Sequence, residues 1–265
     1  MDIEAYLRRI HYEGSRRPSR TTLRNLHRQH LFTVPFENLD IPMGVPIRLE
    51  PHLLYEKIVV RGRGGFCYEL NGLFGELLAA MNFRVHRLSA RVRREGGGFG
   101  PEFDHMLLKV ELEESWLVDV GFGDSFVDPI VLRSGEANQV NGHRYVVLPK
   151  GEDWELLRED EKGRVPLYVF HDHPHTLGEY QQMCNFHQSS PESHFTRSWI
   201  CSRATPEGRI TLANMRLIVN DEAGHEETEL STESELRRCL HTLMRIEFDD
   251  SVSLSKLLVV ASQNL

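Results

Sequence analysis

The amino-acid sequence predicts an α+β protein with a helical first region (1–82), an antiparallel sheet or small barrel (83–190) and a small α/β end (191–265). Three observations carry this. Apolar residues recur at helical steps up to Met81. From Phe83 they alternate in short runs separated by Gly, Asp and Glu clusters. After about Ser190 the order is strands followed by a helix.

The 265 residues are 40% hydrophobic and 26% charged, which excludes a disordered chain and fits a globular one. The longest apolar runs, such as 257–261, are far too short to cross a bilayer. No basic segment followed by an apolar stretch opens the chain, so no secretory signal is expected and a cytoplasmic location is. Cys67, Cys184, Cys201 and Cys239 are widely spread, without Cys-x-x-Cys pairs, which argues against a zinc ribbon or disulfide framework. A net charge of −8 argues against a general nucleic-acid binder. It leaves room for an anionic small substrate, which needs only local positive potential.

In chain order, Ile3, Leu7 and Ile10 mark a first helix, and Thr21 or Thr22 is placed to cap a second that carries Leu23, Leu26 and His30. Pro35 and Pro42 interrupt regularity around Val34-Pro-Phe-Glu-Asn-Leu39. Cys67, Leu70, Phe74, Leu77, Leu78 and Met81 then form the clearest helical stripe. Strands are expected at 85–92, 105–112, 116–120, 145–148, 154–157 and 166–170, and later at 195–201, 209–212 and 215–219. Thr232 caps a final helix, with Glu235 three residues on.

The chemistry centres on Arg61-Gly-Arg-Gly-Gly-Phe-Cys67. The glycines let the backbone turn sharply. Cys67 opens a helix, where the dipole favours a thiolate. A small buried hydrophobe is the other reading of such a cysteine, and the pattern alone leaves both open. Asp104-His105 begins one strand, and Asp119 sits inside the apolar run Trp116-Leu-Val-Asp119-Val. An unpaired carboxylate there is costly, and a histidine on the next strand is a natural partner. Backbone amides can satisfy it equally well. A hairpin turning at 113–115 puts both side chains on one face, but sets Asp119 opposite Lys109, about 13 Å along the strand from His105. A bulge, an earlier turn or a non-hairpin arrangement would each relieve this.

Arg63-Gly-Gly-Phe-Cys67-Tyr-Glu-Leu-Asn71 resembles the cysteine signature of the arylamine N-acetyltransferases. Pro35-Phe-Glu-Asn-Leu39, Asp104-His105, Val118-Asp119-Val-Gly-Phe-Gly123, Ser189-Ser-Pro-Glu-Ser193-His-Phe195 and Gly208-Arg-Ile-Thr-Leu212 resemble further family motifs in order, over nearly the whole chain. The resemblance implies three domains: a helical bundle (1–82), a β-barrel (83–190) and an α/β lid (191–265). It implies acetyl-CoA as co-substrate, no bound cofactor or metal, and a ping-pong reaction through an acetyl-cysteine with an arylamine or arylhydrazine as acceptor. Cys67 would be nucleophile, His105 base and proton shuttle, and Asp119 the orienter. Phe36 and Phe122 would line the acceptor pocket, with Gly123 and Phe195 near coenzyme A. The chain's early end after Leu265 implies a shortened lid and a more open donor cleft.

Other motifs read more plainly. His171-Asp-His173-Pro-His175 is expected to be a polar loop rather than a metal site, because no second ligand motif accompanies it. Arg91-Val-Arg93-Arg94 with Gly96–Gly98 is expected to be a solvated hairpin tip rather than a phosphate loop. A cysteine hydrolase and an inactive binding module are the alternative functions. The fate of an acyl-enzyme separates the first, and thiol reactivity the second.

Overall fold

The computed structural model describes residues 1–140, 143–160 and 163–262. Helix α1 (Ile3–Arg9) is capped by the Asp2 carboxylate, which accepts from the Ala5 N–H. Helix α2 (Arg20–Thr33) is capped by Ser19, not by Thr21 or Thr22: Ser19 Oγ accepts from the Thr22 N–H at 3.1 Å. Ser19 holds the extended backbone that a cap requires, whereas both threonines already lie inside the helix. A short strand β1 (Phe36–Glu37), helix α3 (Asp40–Met43) and helix α4 (Pro51–Tyr55) lead to the long helix α5 (Cys67–Ala80). The sequence shows one apolar stripe on α5, yet the helix is buried on almost every side. Strands pack on one flank and α1 and α4 on the other.

Eight strands follow as one antiparallel sheet that nearly closes into a barrel: β2 (Arg84–Val92), β3 (His105–Glu111), β4 (Ser115–Val118), β5 (Ile130–Val131), β6 (Ala137–Val140), β7 (His143–Lys150), β8 (Asp153–Asp160) and β9 (Gly163–His175). Their order is β5-β4-β3-β2-β9-β8-β7-β6. The two ends meet where the Val131 N–H donates to Asn138 Oδ1 at 3.0 Å. Alternation along β3 divides its side chains. Leu107 joins the barrel interior with Leu117 and Tyr168, while Met106, Leu108 and Val110 join the core shared with α5.

Further expectations need correcting. The segment 171–175 is the end of strand β9, not a loop: Pro174 pairs with Leu88 beside a register shift, where a residue lacking an N–H is tolerated. Phe195 lies on a short helix, α7 (His194–Arg197), whose Ser193 cap accepts from its N–H, so the strand expected at 195–201 begins only at Ile200. A helix that apolar spacing did not reveal, α6 (Gln181–Ser189), precedes it.

Strands β10 (Ile200–Ala204), β11 (Arg209–Ala213), β12 (Arg216–Asp221) and β13 (Gly224–Glu229) form a second sheet. Strand β1 pairs onto β10, so the helical region lends this sheet an edge strand. Helix α8 (Glu233–Thr242) carries the expected Thr232–Glu235 capping box, and α9 (Ser255–Ser262) follows it, so α8 is not the last helix. Among the described residues no helix is long and apolar enough to cross a membrane.

Candidate active site

Cys67 is the first residue of α5, at the positive end of the helix dipole. The approach to it is held by buried charges that the sequence does not pair by any pattern. Glu69 Oε2 accepts from the Phe66 N–H at 3.1 Å, and Glu69 Oε1 receives Lys57 Nζ at 2.7 Å. Lys57 also meets Asp40 at 2.8 Å, and Arg63 donates to Glu37 and Asp40. These five residues tie the 35–40 segment to the glycine loop and to the first turn of α5. The loop approaches so closely that a Cβ on Gly64 would lie 2.2 Å from the Pro35 carbonyl oxygen. Glycine is required there for space.

His105 and Asp119 come together because the hairpin turns one residue earlier than the sequence suggests. Leu108 pairs with Val118 and Glu111 with Ser115, leaving a three-residue turn at 112–114. That register sets Asp119 level with Leu107, two residues from His105 on the same face. His105 Nε2 and Asp119 Oδ2 are 2.8 Å apart. Asn71, one helical turn after Cys67, clamps the arrangement. Its Nδ2 donates to Asp119 Oδ1 at 2.9 Å and to the Met106 carbonyl at 2.6 Å, and its Oδ1 accepts from the Val120 N–H at 2.9 Å. Tyr168 Oη donates to Asp119 Oδ2 at 3.2 Å. On the backbone side, the Asp119 N–H donates to His27 Nε2, so the His27 proton sits on Nδ1 and is given to the Val127 carbonyl. Only the i+4 spacing of Asn71 from Cys67 hints at this clamp in the sequence.

The backbone N–H of Met106, the residue after His105, favours the ionised form of the Cys67 thiol. Gly121 closes the other side: a Cβ there would lie 2.8 Å from Cys67 Cα and 2.7 Å from Asn71 Nδ2. Burial pushes the Cys67 thiol well above its ordinary value, opposed by the Met106 N–H. Burial also acts to raise the Asp119 carboxyl, but His105, Asn71 and the Gly121 N–H together hold it below the usual carboxylate range. Burial keeps His27 neutral by lowering its value. Glu69 is pushed up to about 7, first by burial and then, against the pull of Lys57, by Asp40 and Glu37.

The remaining sequence-predicted residues surround this cluster. Phe122 stands edge-on to His105, with ring centroids 5.2 Å apart, and touches Tyr168 as well. Phe36 lies 6.3 Å from Phe195 between centroids, and its ring packs under Gly123, which adopts φ +87°. Phe66 stands against Phe195 in turn. Cys67 and His105 are 4% and 3% exposed, whereas Phe122, Gly123 and Phe195 are half-buried. Arg91 is paired with Asp153 and Glu102, and Arg93 donates to the Gly98 carbonyl, so the hairpin tip spends these cations within the protein. His171 and His175 pair with Asp153 and Glu179.

A family model described as N-acetyltransferase matches residues 20–252. The arylamine N-acetyltransferase of Escherichia coli is 36% identical over 84% of this chain and 80% of its own length. That of Mycolicibacterium smegmatis is 32% identical over 94% of each. The Salmonella typhimurium relative, 35% identical over 80% of this chain and 76% of its own, is an arylamine N-acetyltransferase / N-hydroxyarylamine O-acetyltransferase. The structure of the Mycobacterium marinum arylamine N-acetyltransferase in complex with CoA superposes with a TM-score of 0.91 at 29% identity, covering 99% of both chains. With a buried histidine–aspartate pair at the head of a cysteine-led helix and similarity along nearly its full length, this chain belongs to the arylamine N-acetyltransferase family.

Proposed function

We propose that the protein moves an acetyl group from acetyl-CoA to the nitrogen of arylamines or arylhydrazines, and to the oxygen of N-hydroxyarylamines, through a thioester on Cys67. His105 and Asp119 complete the triad. The observation that carries this reading is the 2.8 Å His105–Asp119 bond, braced by Asn71 from the helix that Cys67 begins. With Nε2 donating to Asp119, His105 Nδ1 is the nitrogen left to take the thiol proton. A lone thiolate is disfavoured in so buried a place. Proton transfer to His105 instead makes a neutral ion pair beside the Asp119 carboxylate, so burial and a reactive sulfur are compatible.

The sulfur attacks the thioester carbonyl of acetyl-CoA, and CoA departs with the proton from His105. An aromatic amine then attacks the acetyl-cysteine carbonyl, His105 takes its proton, and the Cys67 sulfur leaves. Phe36 and Phe122 would form the acceptor walls and hold water away, with Gly123 and Phe195 toward the donor. The chemistry uses no resident cofactor or metal. The same reading divides the chain into a helical bundle (1–82), a barrel (83–190) and an α/β lid (191–265), and places the protein in the cytoplasm.

The test is the fate of the acetyl-enzyme. Acetyl-CoA alone should release about one equivalent of CoA per site in a burst, then little. An arylamine should raise the steady rate, with parallel double-reciprocal lines. Equal CoA release without amine would establish a hydrolase instead.

A further inference from the structure

The chain carries a net charge of −8, yet the proposed donor bears a pyrophosphate and a third phosphate. Such a ligand needs a local positive feature beside the cleft. One lies on the turn that follows Phe122, the ring edge-on to His105, with its cations matched to an unusual partner. Arg209 donates through Nη1 to the Gly123 carbonyl and to Ser202 Oγ, and its Nε lies 3.1 Å from Asp124 Oδ1. Arg158, on β8, reaches the other oxygen of the same carboxylate at 3.6 Å. The two guanidinium side chains are 15% and 26% exposed, whereas Asp124 is 71% exposed.

That distribution of exposure points outward. Two mostly buried cations share one carboxylate that stands in solvent, on the turn following Phe122 and Gly123. A carboxylate so exposed gains little from an ion pair and is readily exchanged for a stronger anion. Phosphate is the better partner for a guanidinium, since it accepts two parallel bonds and carries more charge. With Asp124 counted, the three groups sum to one positive charge; with it swung aside, two guanidiniums remain beside the turn. Among the described residues Ser125 Oγ, next on the turn, is buried without a hydrogen-bond partner, so the turn also holds a donor that none of them uses.

We propose that Arg158 and Arg209 are the phosphate-holding pair for the acyl donor, and that Asp124 is an internal stand-in which the donor's phosphate displaces. This rests on the acetyl-CoA reading above and adds the residues that select a phosphorylated donor. Asp124 then works against donor binding, so its removal should help rather than harm.

The experiment is equilibrium binding by titration calorimetry of coenzyme A and of pantetheine, which lacks every phosphate, to wild type, R158Q, R209Q and D124N. Coenzyme A should bind R158Q and R209Q tenfold or more weakly, as expected for a lost charge-assisted bond, while pantetheine binding changes little. D124N should bind coenzyme A several-fold more tightly. The proposal is overturned if D124N binds coenzyme A no better than wild type, or if the arginine variants lose pantetheine as much as coenzyme A. The latter would mean that they only brace the turn. These outcomes do not depend on acylation of Cys67, so a failed transfer assay beside intact phosphate selection would sink the functional reading and leave this one standing.

Discussion

Replacing Gly121 with alanine tests whether the position of Cys67 matters as much as its chemistry. The added Cβ would lie 2.8 Å from Cys67 Cα, 3.0 Å from the Cys67 carbonyl oxygen and 2.7 Å from Asn71 Nδ2. Ordinary contact between carbon atoms begins near 3.5 Å, so either the 119–123 segment or the start of α5 must yield by about 0.7 Å. Neither can do so freely. Asn71 bonds to Asp119, Val120 and Met106, so a shift on one side strains the clamp on the other. Overpacking of this kind costs about 1–3 kcal/mol of stability. A displacement near 1 Å between nucleophile and base costs about 10²-fold in rate. Urea unfolding should therefore show a moderate loss, and stopped-flow release of CoA from acetyl-CoA should slow by about two orders of magnitude in a fully folded sample. A folded Gly121→Ala protein that is acylated at the wild-type rate would refute this account of the site.

Asp119→Asn should lower turnover by up to about 10⁴-fold, because an amide favours the wrong imidazole tautomer, and should slow alkylation of Cys67 at pH 6. Since Asp119 is held below the usual carboxylate range, the stability it adds is present above its unfolded value near 3.9 and is lost as pH falls through its lower folded value. The gap between wild type and variant in urea unfolding should thus be wide at pH 7 and close toward strong acid. Asn71→Ala strips partners from the Met106 carbonyl, Asp119 Oδ1 and the Val120 N–H, and should cost about 3 kcal/mol in the same assay. Arg63→Gln leaves Glu37 and Asp40 without their shared cation in a buried place, and should cost about 3–5 kcal/mol by thermal unfolding.

The parts of the fold that rest on local periodicity are legible in the sequence. The apolar spacing from Cys67 to Met81 and the glycines before it locate α5 and its start, because helix spacing and backbone freedom are properties of neighbouring residues. The hairpin register is not legible. Leu112 belongs as well to a strand as to a turn, and moving the turn by one residue moves Asp119 from Lys109 to the level of Leu107. Charge pairing is still less local. Glu37, Asp40, Lys57, Arg63 and Glu69 meet only after β1 has been laid beside the glycine loop, and no spacing rule predicts it. Strand β13 is missed because all six of its residues face solvent, so no apolar alternation marks it. Proline also misleads at 174, where the strand tolerates it beside a register shift.

The central claim is a thioester on Cys67, and intact mass spectrometry with peptide mapping reads it directly. The protein would be mixed with excess acetyl-CoA and quenched in acid within seconds, in parallel with Cys67→Ser. The account predicts a gain of one acetyl group per wild-type chain, mapped to the peptide containing Cys67, removed by an added arylamine and absent from the variant. An acetyl group on Cys184, Cys201 or Cys239, or an acylated Cys67→Ser protein that still transfers to the amine, would contradict it.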